Sequence, residues 1–461
     1  MKTITRKSLD NSIKDGAAYS AMLGLTQDYI TPFALALKAS VPQIGILSAL
    51  PNLSVALSQL FAPFLSEKAK SRKSFVFKAV LLQAVCFLPA FVLPLLFRDF
   101  GVWWLILWYT LGTMFGSLGN PAWSSLMADL VPGSIRGRFF GYRGMIAGIM
   151  TLAFSLASGL LLQISADTLF LGFGLIFFGA SLARFISSFF LNKMEDPQAK
   201  APIKDGVSMK ALVKDLNKTP MGKFISYSAL INFSTYIAAP FFAVYMLREL
   251  GFDYLTYIIV ISSASVANFV FMKVWGRICD ICGNVKILKL CSVFVPVVPL
   301  LWIFSHNTYY LIGVQALSGI IWAGFLLSGT NYIFESSSRR NRMRGFALYT
   351  GGNSLGIALG SLVGGLLVSV LPQLNGYHML SLFLVSVIAR TLVVGLFINS
   401  IKELKPAGSA IPQAFVSAYR LDIFALKFRT ILQAVLQLPR IFRQPLRSGM
   451  VIRIFQLIIR F

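Results

Sequence analysis

Asp28 is the residue in this chain best placed to do chemistry, because it is a carboxylate inside an apolar run, GLTQDYITPFALAL. A charge at that depth in a membrane costs several kcal/mol unless it faces protein or a water path. Three roles fit it: exchanging a proton during transport, binding a cationic solute, or making a structural bond to a neighbouring helix or to Arg143. Pro32, one turn on, should bend or unwind the helix around it. Arg143 is a second charge in apolar sequence. It either attracts an anionic solute or joins Asp129 and Glu335 in a charge cluster at a gate. Arg184 fits snorkelling to headgroups or pairing inside a bundle. Cys279 and Cys282 have a CxxC spacing, but with no second pair and no nearby histidine they read as incidental thiols, and no metal site is expected. Cys86 and Cys291 complete no disulfide framework. His306 and His378 stand apart near outer loops. With no catalytic triad, cofactor site or phosphate-cradling loop, the sequence points away from an enzyme and from an ATP-driven pump.

These residues sit in a strongly apolar chain. Of 461 residues, 56% are hydrophobic and 13% charged, and the mean hydropathy is +0.72. A soluble domain carries about 25% charged residues. Repeated apolar runs long enough to cross a bilayer must be helices there, because backbone groups in hydrocarbon have to bond internally. Six runs precede a polar stretch, at 17–38, 42–65, 75–96, 102–127, 139–163 and 169–190; six follow it, at 224–247, 255–275, 287–304, 309–334, 345–370 and 379–398. The expected class is an all-α integral membrane protein with twelve transmembrane helices. Its organisation reads as a six-helix bundle over 1–191, a cytoplasmic linker over 192–223, a second bundle over 224–400 and a basic amphipathic tail over 401–461. The net charge of +25 gathers mostly in every second loop, which is the positive-inside pattern and not a nucleic-acid surface. That places both termini in the cytoplasm, in a cytoplasmic or cell inner membrane. The opening MKTITRKSLDNSIKDG reads as a short cytoplasmic segment and not a signal peptide. Trp103, Trp104 and Trp108 suit an aromatic belt. The tail mixes arginines with short apolar runs, which suits helices lying on anionic lipid.

The two halves echo each other. Tyr19, Ser20, Ala21, Pro32 and Phe33 recur as Tyr227, Ser228, Ala229, Pro240 and Phe241, 208 positions on (227 less 19). Asp129, Arg136, Arg138, Ser155 and Gly159 recur as Glu335, Arg342, Arg344, Ser361 and Gly365, 206 positions on (335 less 129). Parallel six-helix repeats about an axis along the membrane normal are an established transporter plan. Arg136, Arg138, Arg342 and Arg344 fit pairing with the neighbouring acids or with anionic lipid. Gly352, Gly356, Gly360 and Gly364 make one smooth helical face, for static packing or for sliding between the bundles.

At its loops the sequence resembles the major facilitator superfamily. The segment GRICDICGNVK, with Gly276, Asp280, Gly283 and Lys286, is similar to that family's loop after an even-numbered span. The first-half counterpart, SEKAKSRK, keeps only the basic character: Ser66, Lys70 and Lys73 stand in the glycine, acidic and second glycine positions. The resemblance implies a rocker-switch transporter whose spans 1, 4, 7 and 10 line a central cavity. Carried onto this chain, the lining residues are Gln27, Asp28, Asn120, Ser228, Asn232, Tyr236 and Asn331. Span 5 lacks the glycine-proline motif of the antiporter branch, which disfavours drug/proton antiport. The expected activity is secondary transport of a small solute by a monomer, with proton symport through Asp28, uniport and antiport all left open. A lipid flippase and a docking protein that no longer transports are the alternatives.

Overall fold

The computed structural model describes residues 3–68, 71–132, 135–196, 219–336 and 342–403; most of the linker and the tail from 404 lie outside them. Helices account for nearly all of it. The first half contains α1 (Thr3–Thr26), α2 (Ile30–Ala36), α3 (Val41–Lys68), α4 (Arg72–Leu96), α5 (Gly101–Leu130), α6 (Arg136–Ile164) and α7 (Leu169–Asn192). The second contains α8 (Pro220–Tyr236), α9 (Phe241–Val244), α10 (Tyr254–Cys282), α11 (Asn284–Phe294), α12 (Val297–Leu301), α13 (Thr308–Ser336), α14 (Arg342–Leu367) and α15 (His378–Phe397). Side chains start these helices where the sequence provides acceptors. Ser71 caps α4, Asp253 caps α10, and Thr219 followed by Pro220 starts α8.

Two first helices are broken at matching places, and proline is the cause. Pro32 has no N–H to offer the carbonyl of Asp28, and residues 27–29 unwind between α1 and α2. Pro240 does the same for Tyr236, and residues 237–240 unwind between α8 and α9. Counting each broken pair as one column, and likewise α11 with α12, gives six columns per half. Ten described helices are long and apolar enough to cross a membrane. The two columns outside that set are α1–α2, diluted by polar residues and its break, and α5, diluted by Trp103, Trp104, Trp108 and Tyr109.

Several expected boundaries move. The opening segment already belongs to the first bundle: helix begins at Thr3, and Ser8, Leu9, Ser12 and Asp15 are buried. The second half starts at Pro220, inside the stretch read as linker. The segment 276–286 is not a loop. Helix α10 runs through Gly276 and Asp280 to Cys282, and Gly283 alone, at φ +91°, turns the chain into α11. Only glycine takes that backbone readily.

The halves meet along two seams, α3 against α14 and α6 against α10. Both are made by glycines at equivalent places. A Cβ on Gly365 would lie 3.3 Å from Gly45 Cα, and one on Gly159 would lie 2.4 Å from the Ile258 side chain. Ser48 and Ser361 share a hydrogen bond of 2.9 Å across the first seam. At the end remote from the linker, Arg248 donates to Ala39 O at 2.7 Å and Phe173 meets Tyr254 edge-on, while α3 stays against α14 as far as Gln59, 3.6 Å from a Cβ on Gly351. Toward the linker end, Gly141 and Gly144 of α6 face open space. The glycine ladder lies elsewhere than a sliding surface between halves. Cβ atoms on Gly356, Gly360 and Gly364 would sit 2.2 Å from the carbonyls of Ala229, Phe233 and Ile237. The ladder therefore locks α14 onto α8 within the second half.

Candidate functional site

The unwound turn at Asp28 is held from both halves. Ser155 Oγ, on α6 of the same half, donates to Asp28 Oδ2 at 2.7 Å. Tyr257 OH, on α10 of the other half, donates to Asp28 O at 3.0 Å. That carbonyl is the one Pro32 leaves without a helical donor, so the break creates an acceptor and the opposite half fills it. Tyr29, fully buried, hydrogen-bonds the carbonyl of Ser155 through its hydroxyl and fixes the turn to α6. Gln27 is exposed and Asp28 half-buried, so the turn borders open space.

Arg143 does not pair with Asp28, nor with Asp129 or Glu335. Its Nη2 lies 3.5 Å from Asp15 Oδ2, its Nε donates to Ser12 O at 3.1 Å, and its guanidinium stacks 4.6 Å over Trp123. Asp15 in turn accepts at Oδ1 from Ser187 Oγ at 2.6 Å. Ser187 accepts from Arg184 Nη1 at 2.9 Å, Arg184 Nε donates to Gln83 Oε1 at 2.8 Å, and the Arg184 guanidinium stacks 4.6 Å over Tyr19. Arg184 thus pairs inside the bundle and does not snorkel; it is 6% exposed.

The other expected gate residues separate into two clusters. Asp129 is bridged by Arg72 at 2.8 Å, and the same guanidinium reaches Asp196 at 3.1 Å. Burial works against the charged form of Asp196. Hydrogen bonds from Ser71, the Lys73 N–H and Arg72 outweigh it and hold the carboxyl below the usual range. The start of the linker is strapped to the first half in this way. Glu335 accepts from Asn284 Nδ2 at 2.8 Å, and Asn331 donates to Asn284 Oδ1 at 3.0 Å. Asn331, half-buried, is therefore engaged at the α11 start. Glu403 lies against Gly283, and its carboxyl is pushed up by burial. Arg138 is exposed on α6; the side chains of Arg136, Arg342 and Arg344 lie outside the described residues.

Of the remaining expected lining residues, Asn120 is exposed, while Asn232 and Tyr236 are half-buried. Asn232 turns its amide back onto Ser228 O at 2.9 Å. Ser228 is fully buried, so it does not border open space. Cys86, Cys279, Cys282 and Cys291 are free thiols, and among the described residues no group of acids, histidines and cysteines could hold a metal.

Sequence reasoning missed Asp15, Tyr257 and Arg390. Asp15 had a signal: Ser8, Ser12, Asp15 and Tyr19 recur at helical spacing and form one polar stripe facing the bundle. Arg390 had one too, being 206 positions after Arg184 (390 less 184). It is 2% exposed and donates to Ser386 Oγ, Val295 O and Thr235 O at 3.0, 3.1 and 3.3 Å. The Val295 carbonyl is free to accept because Pro299, four residues on, has no N–H. Tyr257 carried no sequence signal as a partner of Asp28.

Comparison with known proteins accords with this geometry. A family model described as Major Facilitator Superfamily matches residues 16–233 and 224–459. Among solved structures, a variant of the nucleoside transporter NupG aligns with a TM-score of 0.66 at 16% identity, covering 87% of this chain and 100% of that one. A bacterial homologue of the iron transporter ferroportin, in an inward-facing state, aligns at 0.64 and 17%, covering 87% and 99%. A bacterial homologue of the human lysosomal transporter Spinster, inward-facing and unoccupied, aligns at 0.60 and 14%, covering 88% and 100%. At these identities the likeness speaks for the fold alone. No curated protein matches the sequence.

Proposed function

The chain belongs to the major facilitator superfamily, a family of multi-pass membrane solute transporters, and on that premise we propose that it carries a small solute by alternating access between its halves. The observation that carries this reading is the Asp28 turn. It borders open space, is held by Ser155 in its own half, and is latched by Tyr257 from the other. A group bonded to both halves is where solute or proton binding can bias their relative position. The reading makes Asp28 the coupling residue, exchanging a proton as the latch opens and closes. Gln27, Asn120, Asn232 and Tyr236 border the route. The basic linker end is the cytoplasmic end, by the positive-inside rule. With Arg248 and Tyr254 meeting the first half at the opposite end, and Gly141 and Gly144 facing open space toward the linker, the conformation described is then inward-facing.

A thermal-shift screen of the purified protein against metabolite pools identifies candidate cargo, and counterflow in proteoliposomes tests it. Expected is exchange of the stabilising solute, with net uptake driven by an imposed pH gradient. Counterflow without any response to the gradient would remove the proton and leave a uniporter or exchanger. No counterflow of any stabilising solute would contradict the transport reading.

A further inference from the structure

Arg184 and Arg390 occupy equivalent places in the two halves, yet only one of them is fully engaged. Arg390 spends Nε, Nη1 and Nη2 on Ser386, Val295 O and Thr235 O. Arg184 spends Nε and Nη1 on Gln83 and Ser187, and its Nη2 bonds no described residue. Arg184 also lines a cavity of about 120 Å³. Asp15, Tyr19, Asn120, Trp123 and Arg143 share its wall.

The charges there do not balance. Two guanidiniums face the cavity with one carboxylate, and both Asp15 oxygens are already taken, by Arg143 and by Ser187. Arg184 has no carboxylate within ion-pair distance among the described residues. Two largely buried cations sharing one carboxylate are costly, and the cost falls when an anion arrives. Guanidinium edges suit planar or tetrahedral oxyanions, which they bind through paired N–H donors. The tyrosine and tryptophan beneath the two guanidiniums hold them flat, limiting what they lose on binding.

We propose that this cavity binds the oxyanion, a carboxylate or a phosphate, of a small free solute. Its volume fits the anionic head and little more. Asn120 is exposed at the wall, so the rest of the solute extends past it into the space between the halves. The inference deepens the solute-carrier reading and rests on it for its physiological meaning.

Binding is measured on the full chain purified in neutral detergent, with radiolabelled orthophosphate by equilibrium binding and with acetate by thermal shift. Methylammonium is the cation control. Expected is saturable binding of at least one anion, with the preferred one assigning phosphate or carboxylate chemistry, and no shift with methylammonium. Arg143→Lys keeps the charge and loses the paired donors, and weakens the anion at least about tenfold. Lys273→Gln, exposed on α10, leaves the affinity unchanged. Should Arg143→Lys not fold, Asn120→Leu at the exposed wall takes its place and is expected to weaken binding as well. No saturable binding of either anion by the unaltered protein, unchanged affinity in the folded site variant, or a methylammonium shift instead, each overturns the proposal. Because the assay needs no transport, its failure is separate from a failure of counterflow.

Discussion

The two halves share a backbone plan and differ in what they bury. Where the first half has Asp28 after its broken helix, the second has Tyr236, 208 positions on (236 less 28). Where the first has Arg143, the second has Tyr349, 206 positions on (349 less 143), whose ring stacks on Phe224 at 5.8 Å. Asp15 corresponds to Lys223, which is exposed. Only the arginine of the sixth column is kept, and in the second half neutral oxygens surround it. The first half therefore buries a cluster of opposite charges, and the second a single arginine among neutral oxygens, on the same frame. Charged side chains gather inside the first half, and the second supplies the Tyr257 hydroxyl that donates to Asp28 O.

Breaking the asymmetry at Arg143 has the largest expected effect. Arg143→Met strands Asp15 in the bundle, and losing one partner of a buried pair costs roughly 3–5 kcal/mol. The thermal midpoint in detergent should fall sharply, and Asp15→Asn added to it should recover much of the loss. Tyr349→Phe, at the equivalent place, should cost about 1 kcal/mol or less. Equal losses at the two positions would dissolve the contrast between the two halves.

Next comes Asp28. Asp28→Asn should abolish concentrative uptake, a loss of roughly a hundredfold or more, about 2.8 kcal/mol, with membrane insertion intact. Tyr236→Phe should leave most of the rate. Unchanged uptake and pH dependence in Asp28→Asn would remove its coupling role.

The glycines sharpen the comparison within the scaffold. Gly360→Ala drives a methyl to 2.2 Å from the Phe233 carbonyl and should destabilise by about 1–3 kcal/mol. Gly144→Ala meets open space and should be neutral or stabilising, by up to about 1 kcal/mol. Thermal midpoints of the two variants decide it, and a larger loss at Gly144 would refute the seam described.

The smallest effect is a pH dependence. The Asp196 carboxyl is held below its ordinary range in the folded chain. Its strap to Arg72 is therefore fully present above the unfolded-chain carboxyl pKa and is lost as pH falls through the folded value. Hydrogen exchange at 193–196 should stay slow at neutral pH and quicken only on strong acidification. Quickening as pH rises would reverse the sign.

Much of the frame was legible in the sequence because hydrocarbon leaves the backbone few options. Apolar runs and basic loops were enough to give the helices and the two halves, and Pro32 the break in the first column; the matching break at Pro240 was not expected. Asp28 stood out for the same reason, as a lone carboxylate in apolar sequence. Partners were not legible. The spacing of Gly352, Gly356, Gly360 and Gly364 gives a face, and nothing in it says whether the neighbour is α8 or the opposite half. Arg143 has three acids to choose from in the sequence, and its real partner, Asp15, lies in the segment expected to be a short cytoplasmic terminus. The stripe of Ser8, Ser12 and Asp15 was visible as a period, but polar residues on a helix end read as solvated until another helix covers them.

Distances across the two ends of the seam test the account most directly. In a cysteine-free chain in lipid, spin labels at Tyr142→Cys and Arg277→Cys report the linker end, and labels at Ile164→Cys and Val370→Cys report the far end; the first three sites sit toward helix ends and Val370 in the turn just past α14. Alternating access predicts two populations at each end with opposite trends: when pH or solute shortens the linker-end distance, the far-end distance lengthens. A single unchanging distance at both ends, or both ends lengthening together, would contradict it.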